Sequence, residues 1–185
     1  MSRLEDRLLA VHDGLTAAAI PHAIGGAIAL GYCVLEARAT QDVDINVFVT
    51  PDRTKEVFSA LPREVVFSGL DVERAERDGQ VRLWWEITPI DLFFNVLPIH
   101  EDVEKNVRHV PLGGRTIPVL SCTGLTVFKA MFDRPRDWVD IEAMVEARAI
   151  DLDEAIEWVS EMAGADSVNA RRLEELGSGT PPGGG

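Results

Sequence analysis

The chain has 185 residues, with 31 Asp and Glu against 18 Lys and Arg, which gives a formal net charge of −13. Hydrophobic residues make up 46% of it, so the chain can bury a core and is not disordered as a whole. So acidic a protein does not bind nucleic acid through a broad basic surface. Any polyanion would have to be held by a local cluster or by metal ions, and we expect no DNA binding.

Membrane and secretory classes are also excluded on composition. The chain contains no run of about 18 apolar residues, the length that a membrane-spanning helix needs. Its N-terminal segment carries Glu5 and Asp6 and lacks the apolar core of a signal peptide. Two cysteines are too few for a disulfide framework or a zinc site, and Cys33 is typical of a small core residue. We therefore expect a protein of the reducing cytoplasm that binds no membrane.

The first half of the chain alternates between helical and strand patterns. In chain order it predicts a helix over 3–19, a short apolar stretch at 22–24, a helix over 27–35, a strand over 42–49, a helix from Pro51 to about Leu61 and a short strand at 65–67. Segments 71–76 and 81–88 flank Asp78-Gly79, which predicts a hairpin. The nearly apolar segment 90–96 predicts a central strand buried on both faces.

The second half predicts one further hairpin and then helices. The elements are a short helix over 101–107, strands over 108–112 and 115–120, and helices over 123–132, 135–147, 151–162 and 166–176. The fold class is α/β in the loose, α+β sense: a small mixed sheet flanked by helices, with a C-terminal helical section. We predict a core over 1–122, helices packed on it over 123–176, and a disordered Gly-rich tail over 177–185.

Three carboxylates stand out as candidate metal ligands. Asp42 and Asp44 begin a strand, and alternate strand residues project to the same face. Adjacent carboxylates repel each other unless a hard cation such as Mg²⁺ lies between them, although such a pair can also cap a loop in solvent. Asp91 interrupts an apolar strand, where a lone carboxylate is costly unless it is paired or bound to metal. It joins the pair if the two strands are neighbours, and otherwise lies at an exposed strand end.

Gly25 and Gly26 precede a helix, where backbone N–H groups can bind phosphate, although a Gly pair can also be a simple turn. The stretch from Ile24 to Gly31, followed by Arg38-Ala39-Thr40-Gln41-Asp42-Val43-Asp44, resembles the signature of the nucleotidyltransferase superfamily of the DNA polymerase beta type. It is most similar to the small prokaryotic AbiEii-like branch. A second block, from Ile117 through Lys129 to Arg134-Pro135-Arg136-Asp137 and Asp140, is similar to the family's Lys-bearing and Arg-x-x-Asp-x-x-Asp helices.

The resemblance implies a reaction and a set of site residues. Asp42, Asp44 and Asp91 bind Mg²⁺ (or Mn²⁺), and Asp91 is the base for an attacking hydroxyl. The nucleotide-binding residues are Gly25, Gly26, Arg38 and Lys129. The implied reaction moves a nucleoside monophosphate from an NTP, such as ATP, to a hydroxyl and releases pyrophosphate.

RNA is the leading acceptor, and several alternatives stay open. The AbiEii-like form favours RNA, particularly tRNA, as acceptor for a toxin–antitoxin toxin with a partner antitoxin. The acidic chain favours a cationic small molecule such as an aminoglycoside or lincosamide, and a protein hydroxyl is a third acceptor. A non-catalytic nucleotide sensor or partner-binding protein is the alternative from another class.

Some candidate residues also have ordinary structural interpretations. Lys129 can be a surface lysine on an amphipathic helix, and Asp137 and Asp140 can cap a helix. Trp84 can stack on a base or lie half-buried against the fold. The four histidines show no metal-ligand spacing.

Overall fold

The computed structural model describes residues 3–178. Within them, seven strands form one mixed sheet in the order β3-β4-β5-β2-β1-β7-β6. The strands are β1 (His22–Ile24), β2 (Val43–Val47), β3 (Val65–Val66), β4 (Gln80–Trp85), β5 (Thr88–Phe94), β6 (Arg108–Leu112) and β7 (Arg115–Val119). The predicted fold class, a mixed sheet flanked by helices, is confirmed.

Nine α-helices accompany the sheet in the described part of the chain. They are α1 (Arg3–Ala17), α2 (Gly26–Val34), α3 (Thr54–Ala60), α4 (Gly69–Asp78), α5 (His100–Lys105), α6 (Cys122–Phe132), α7 (Pro135–Glu146), α8 (Leu152–Ala163) and α9 (Val168–Gly177). A 3₁₀ turn over Pro51–Arg53 precedes α3, with proline at its first position as its fixed φ favours. None of the helices between residues 3 and 178 is long and apolar enough to cross a membrane.

The chain divides into two compact units. The first is the chain up to Ile28 together with Ala39–Leu120, and it contains the whole sheet. The second is Ala29–Arg38 together with the described residues from Ser121 onward, and it contains α6 to α9. The predicted division at 122 and 176 stays a prediction. Of the predicted tail, Gly177 ends α9, and positions 179–185 lie outside the described residues.

Strand β2 lies at the centre of the sheet, paired with β5 in parallel and with β1 antiparallel. The core face of β5 carries Ile90, Leu92 and Phe94, none of which is exposed. The other face carries Asp91 and Phe93, which are partly exposed. The prediction of a strand buried on both faces therefore holds only in part for β5, because Pro89 on the second face is buried while Asp91 and Phe93 keep some exposure. This second face is the one that could hold a ligand.

The hairpin predicted about Asp78-Gly79 is wrong. Segment 71–76 lies in α4, because the backbone N–H of Ser68 donates to the Asp71 carboxylate (2.8 Å) in a capping box that starts a helix. Gly79 ends the same helix with φ +66°. An Asp-Gly pair suits a helix end as well as a hairpin turn. The hairpin of β4 and β5 instead turns at Glu86 and Ile87, between Trp85 and Thr88.

The second unit contains a disulfide that the sequence analysis did not predict. Cys33 in α2 and Cys122 at the start of α6 are bonded, at a sequence separation of 89. Cys33 is buried, as expected of a small core residue, but it is not a free thiol. Disulfides persist in oxidising compartments, so this bond argues against the expected reducing environment.

Candidate functional site

A row of four residues crosses the open face of the sheet. Strand register places Arg82 of β4 beside Asp91 of β5, and Asp91 beside Asp44 of β2. Directly paired residues on neighbouring strands project to the same face. Gly25 continues the row, because its N–H donates to the Asp44 carbonyl (2.9 Å). The predicted neighbourhood of Asp44 and Asp91 is thus present in the strand register.

Asp42 stands one position before β2 and is held by Thr40. The Asp42 N–H donates to Thr40 Oγ1 (3.2 Å), and that hydroxyl donates to the Asp42 carbonyl (3.3 Å). The Asp42 side chain is 36% exposed, whereas that of Asp91 is only 13% exposed. Asp91 therefore does not lie at an exposed strand end, which was the alternative interpretation of its position.

Arg82 is paired with two of the three carboxylates. Its Nε donates to Asp91 Oδ1 (2.7 Å) and its Nη2 to Asp91 Oδ2 (2.6 Å), a two-point ion pair. Nη2 also lies 3.4 Å from Asp42 Oδ2. The hydrogen bond to Asp91 is the main cause that raises the pKa of Arg82. Sequence reasoning missed Arg82, because only the β4–β5 register sets it opposite Asp91.

Gly25 and Gly26 are required by close approach to the acidic strand. Gly26 is the first residue of α2 and has φ +53°. A Cβ built on it would overlap Asp44 Oδ2 and lie 2.5 Å from Asp44 Cγ. A Cβ on Gly25 would lie 3.0 Å from Asn46 Nδ2. The pair therefore does more than form a turn: it brings the start of a helix against Asp44.

The chemistry of the donor set fits a hard divalent cation, since carboxylate oxygens are the ligands that Mg²⁺ prefers. The positions of these side chains, in contrast to their chemistry, do not form a metal site in this structure. Among residues 3–178, no group of three or more His, Cys, Asp or Glu side chains is placed to hold a metal ion. The Arg82 guanidinium instead donates to both oxygens of Asp91 and approaches Asp42.

Lys129 lies in a buried ionic cluster of the second unit. Its Nζ donates to Asp140 Oδ2 (2.6 Å) and Asp137 Oδ1 (3.3 Å), and Arg134 Nε donates to Asp137 Oδ2 (2.6 Å). Lys129 is only 8% exposed, so it is not a surface lysine. Burial raises the pKa of Asp137, but the Arg134 hydrogen bond and the Lys129 and Arg134 charges outweigh it and lower the pKa. The predicted contact of Lys129 with a triphosphate stays a prediction.

The other candidates are placed less specifically. Arg38 is exposed in the segment after α2, and its predicted phosphate contact also stays a prediction. Trp84 is 46% exposed on the same face of β4 as Arg82, two residues further along. His12 and His22, which showed no ligand spacing in sequence, lie 2.8 Å apart between ring nitrogens.

Comparison with known proteins gives a fold rather than a family. No family model and no curated sequence matches the chain. The solution structure of the antibiotic-resistance factor ANT(2'')-Ia matches with a TM-score of 0.61 at 10% identity, over 95% of this chain and 97% of that one. Its crystal structure in complex with adenylyl-2''-tobramycin matches with a TM-score of 0.55 at 12% identity, over 97% of both chains.

A third structure extends the comparison. The lincomycin-bound lincosamide antibiotic adenylyltransferase LnuA matches with a TM-score of 0.52 at 15% identity, over 76% of this chain and 95% of that one. At identities this low, structural likeness establishes architecture and not activity. The chain therefore has the nucleotidyltransferase fold, as the motifs about Gly25-Gly26 and Asp42-Val43-Asp44 predicted.

Proposed function

We propose that this protein transfers a nucleoside monophosphate from an NTP to a hydroxyl group and releases pyrophosphate. The observation that carries the proposal is the row of Asp44 and Asp91 on adjacent strands, with Asp42 before it and Gly25-Gly26 beside it. Three carboxylates and a glycine-led helix start on one face combine cation ligands with a phosphate-binding backbone.

The three carboxylates have two roles in this proposal, metal binding and proton transfer. Asp42, Asp44 and Asp91 would hold Mg²⁺ or Mn²⁺, which supplies neutralisation of the triphosphate charge when bound. Of the two carboxylates paired with Arg82, that of Asp91 is less exposed than that of Asp42. We assign the Asp91 carboxylate as the acceptor of the hydroxyl proton. The acceptor oxygen then bonds to the α-phosphorus as the bond to the pyrophosphate oxygen breaks.

The glycine pair would bind the nucleotide through its backbone. With no Cβ at Gly26, the start of α2 lies directly against the Asp44 carboxylate. We assign the first N–H groups of α2 to the nucleotide phosphates, beside the cation ligands. Lys129 and Arg38 complete the proposed nucleotide-binding residues on the motif resemblance alone.

For the acceptor we favour a cationic small molecule with free hydroxyl groups. A net charge of −13 opposes binding of a polyanion, and two of the matching proteins are described as an antibiotic-resistance factor and a lincosamide adenylyltransferase. The second candidate is tRNA, modified by an AbiEii-like toxin that an antitoxin would restrain. It is supported by the Arg38-x-Thr40-x-Asp42-x-Asp44 pattern.

A transfer assay tests both candidates. The purified protein is incubated with Mg²⁺, each α-labelled NTP in turn, and either total tRNA or a panel of aminoglycosides and lincosamides. Asp44→Asn is the inactive variant, and Asp78→Asn, which alters an exposed carboxylate paired with Arg77, is the matched control. We expect label on a small molecule with the wild type and the control. Label on tRNA would establish the second candidate, and equal transfer by Asp44→Asn would refute the assigned site.

A further inference from the structure

Arg82 lies where a cation shared by Asp91 and Asp42 would have to bind. Both oxygens of Asp91 accept hydrogen bonds from its guanidinium, at 2.7 and 2.6 Å. Its Nη2 lies 3.4 Å from Asp42 Oδ2, so one guanidinium reaches both carboxylates. A carboxylate oxygen that accepts a short charged hydrogen bond cannot offer the same lone pair to a metal ion.

The charges of these side chains also favour a competition between Arg82 and a metal ion. Three carboxylates on one face repel each other, and a single guanidinium among them offsets part of that repulsion. A divalent cation does the same work with twice the charge. Arg82 keeps its charge at every ordinary pH, so it would repel a divalent cation bound to the same carboxylates.

We propose that Arg82 is an internal competitor of the divalent cation: it holds Asp91 and Asp42 in the metal-free protein and must leave Asp91 before the ion binds. This inference rests on the proposed function, which places the cation on these carboxylates. The Arg82 side chain is 48% exposed, so it has solvent to move into when it leaves. Arg82 is thus a positioning residue that sets the cation affinity of the site.

Metal affinity provides a test that is independent of activity. Mn²⁺ binding is measured by titration calorimetry and by electron paramagnetic resonance of free Mn²⁺ for the wild type, Arg82→Gln and Arg82→Lys. Arg77→Gln, which removes one exposed arginine from an ion pair outside the row, is the matched control. We expect Arg82→Gln to bind Mn²⁺ about tenfold more tightly, the scale of one well-oriented ion pair at a part-exposed site. Arg82→Lys should fall between the two, since lysine keeps the charge but not the two-point geometry.

Thermal unfolding gives a second readout and reports whether each variant is folded. Without metal, Arg82→Gln should unfold at a lower temperature than the wild type, because its carboxylates lose their counter-charge. Saturating Mn²⁺ should stabilise it more than it stabilises the wild type.

The outcomes separate the two proposals. Equal or weaker Mn²⁺ binding by Arg82→Gln than by the wild type overturns the competition and leaves the cation site standing. If neither protein binds Mn²⁺ at millimolar concentration while both are folded, the cation site and the competition are both wrong.

Discussion

Substituting Gly26 with alanine tests the close approach on which the site depends. The new Cβ meets two separate obstacles. Gly26 has φ +53°, a left-handed conformation that costs an alanine about 1–2 kcal/mol. The same Cβ would overlap Asp44 Oδ2, and overpacking of this kind typically costs about 1–3 kcal/mol.

Together these effects should lower the free energy of unfolding by about 3.5 kcal/mol, adding the two ranges above at their middle. For a chain of this size each kcal/mol lowers the melting temperature by about 2–4 °C, so the expected fall is about 7–14 °C. Denaturant unfolding followed by circular dichroism measures the free energy directly.

Gly114→Ala is the matched control for backbone strain. Gly114 also has positive φ, at +76°, but a Cβ there has no atom within 4 Å. It should therefore lose only the strain, about 1–2 kcal/mol. In an Asp44→Ala background the cost of Gly26→Ala should fall toward that level, because the overlapping Oδ2 and Cγ are gone and only the Cβ of residue 44, 3.0 Å away, remains. A Gly26→Ala loss no larger than that of Gly114→Ala, or one unchanged by Asp44→Ala, would refute the reasoning.

Two further predictions concern the stability of each unit. Burial lowers the pKa of His22 below its ordinary 6.5. Its Nδ1 donates to the Ile20 carbonyl, so the Nε2 of the neutral ring accepts from His12. The free energy of unfolding should therefore fall as the pH drops below 6.5, where the unfolded chain takes up the proton first. Melting curves between about pH 7.5 and 5.5 check this, and a His22→Gln variant with the same fall would contradict it. Cys33→Ser or reduction of the disulfide should lower the free energy of unfolding by about 4 kcal/mol, given the 89-residue separation. Denaturant unfolding with and without reductant measures the loss, and an unchanged midpoint would count against the bond.

The parts of the fold that local patterns encode were predictable. The strand predicted over 42–49 and the hairpin predicted for 108–112 and 115–120 correspond to β2 and to the β6–β7 hairpin. The misassigned segment, 71–76, shows where local evidence divides. Asp78-Gly79 satisfies a hairpin and a helix end equally, and the decisive signal was Ser68 with Asp71, a pair that starts a helix.

The acidic residues of the candidate site could be selected from the sequence, whereas the surroundings of its basic residues could not be predicted. Asp91 drew notice because a carboxylate in an apolar strand needs a partner, but that partner, Arg82, is visible only once the β4–β5 register is known. Lys129 could not be read as buried, because its burial depends on carboxylates of the following helix, α7. The disulfide likewise joins positions that only the tertiary structure brings together.

The most direct test of the central claim is a crystal structure with Mn²⁺ and a non-hydrolysable NTP, with anomalous scattering used to place the metal. The account predicts an anomalous peak within ligand distance of Asp42, Asp44 and Asp91, the phosphates at Gly25-Gly26, and Arg82 released from Asp91. Nucleotide bound elsewhere, or Mn²⁺ absent from these carboxylates with Arg82 still paired to Asp91, would contradict it.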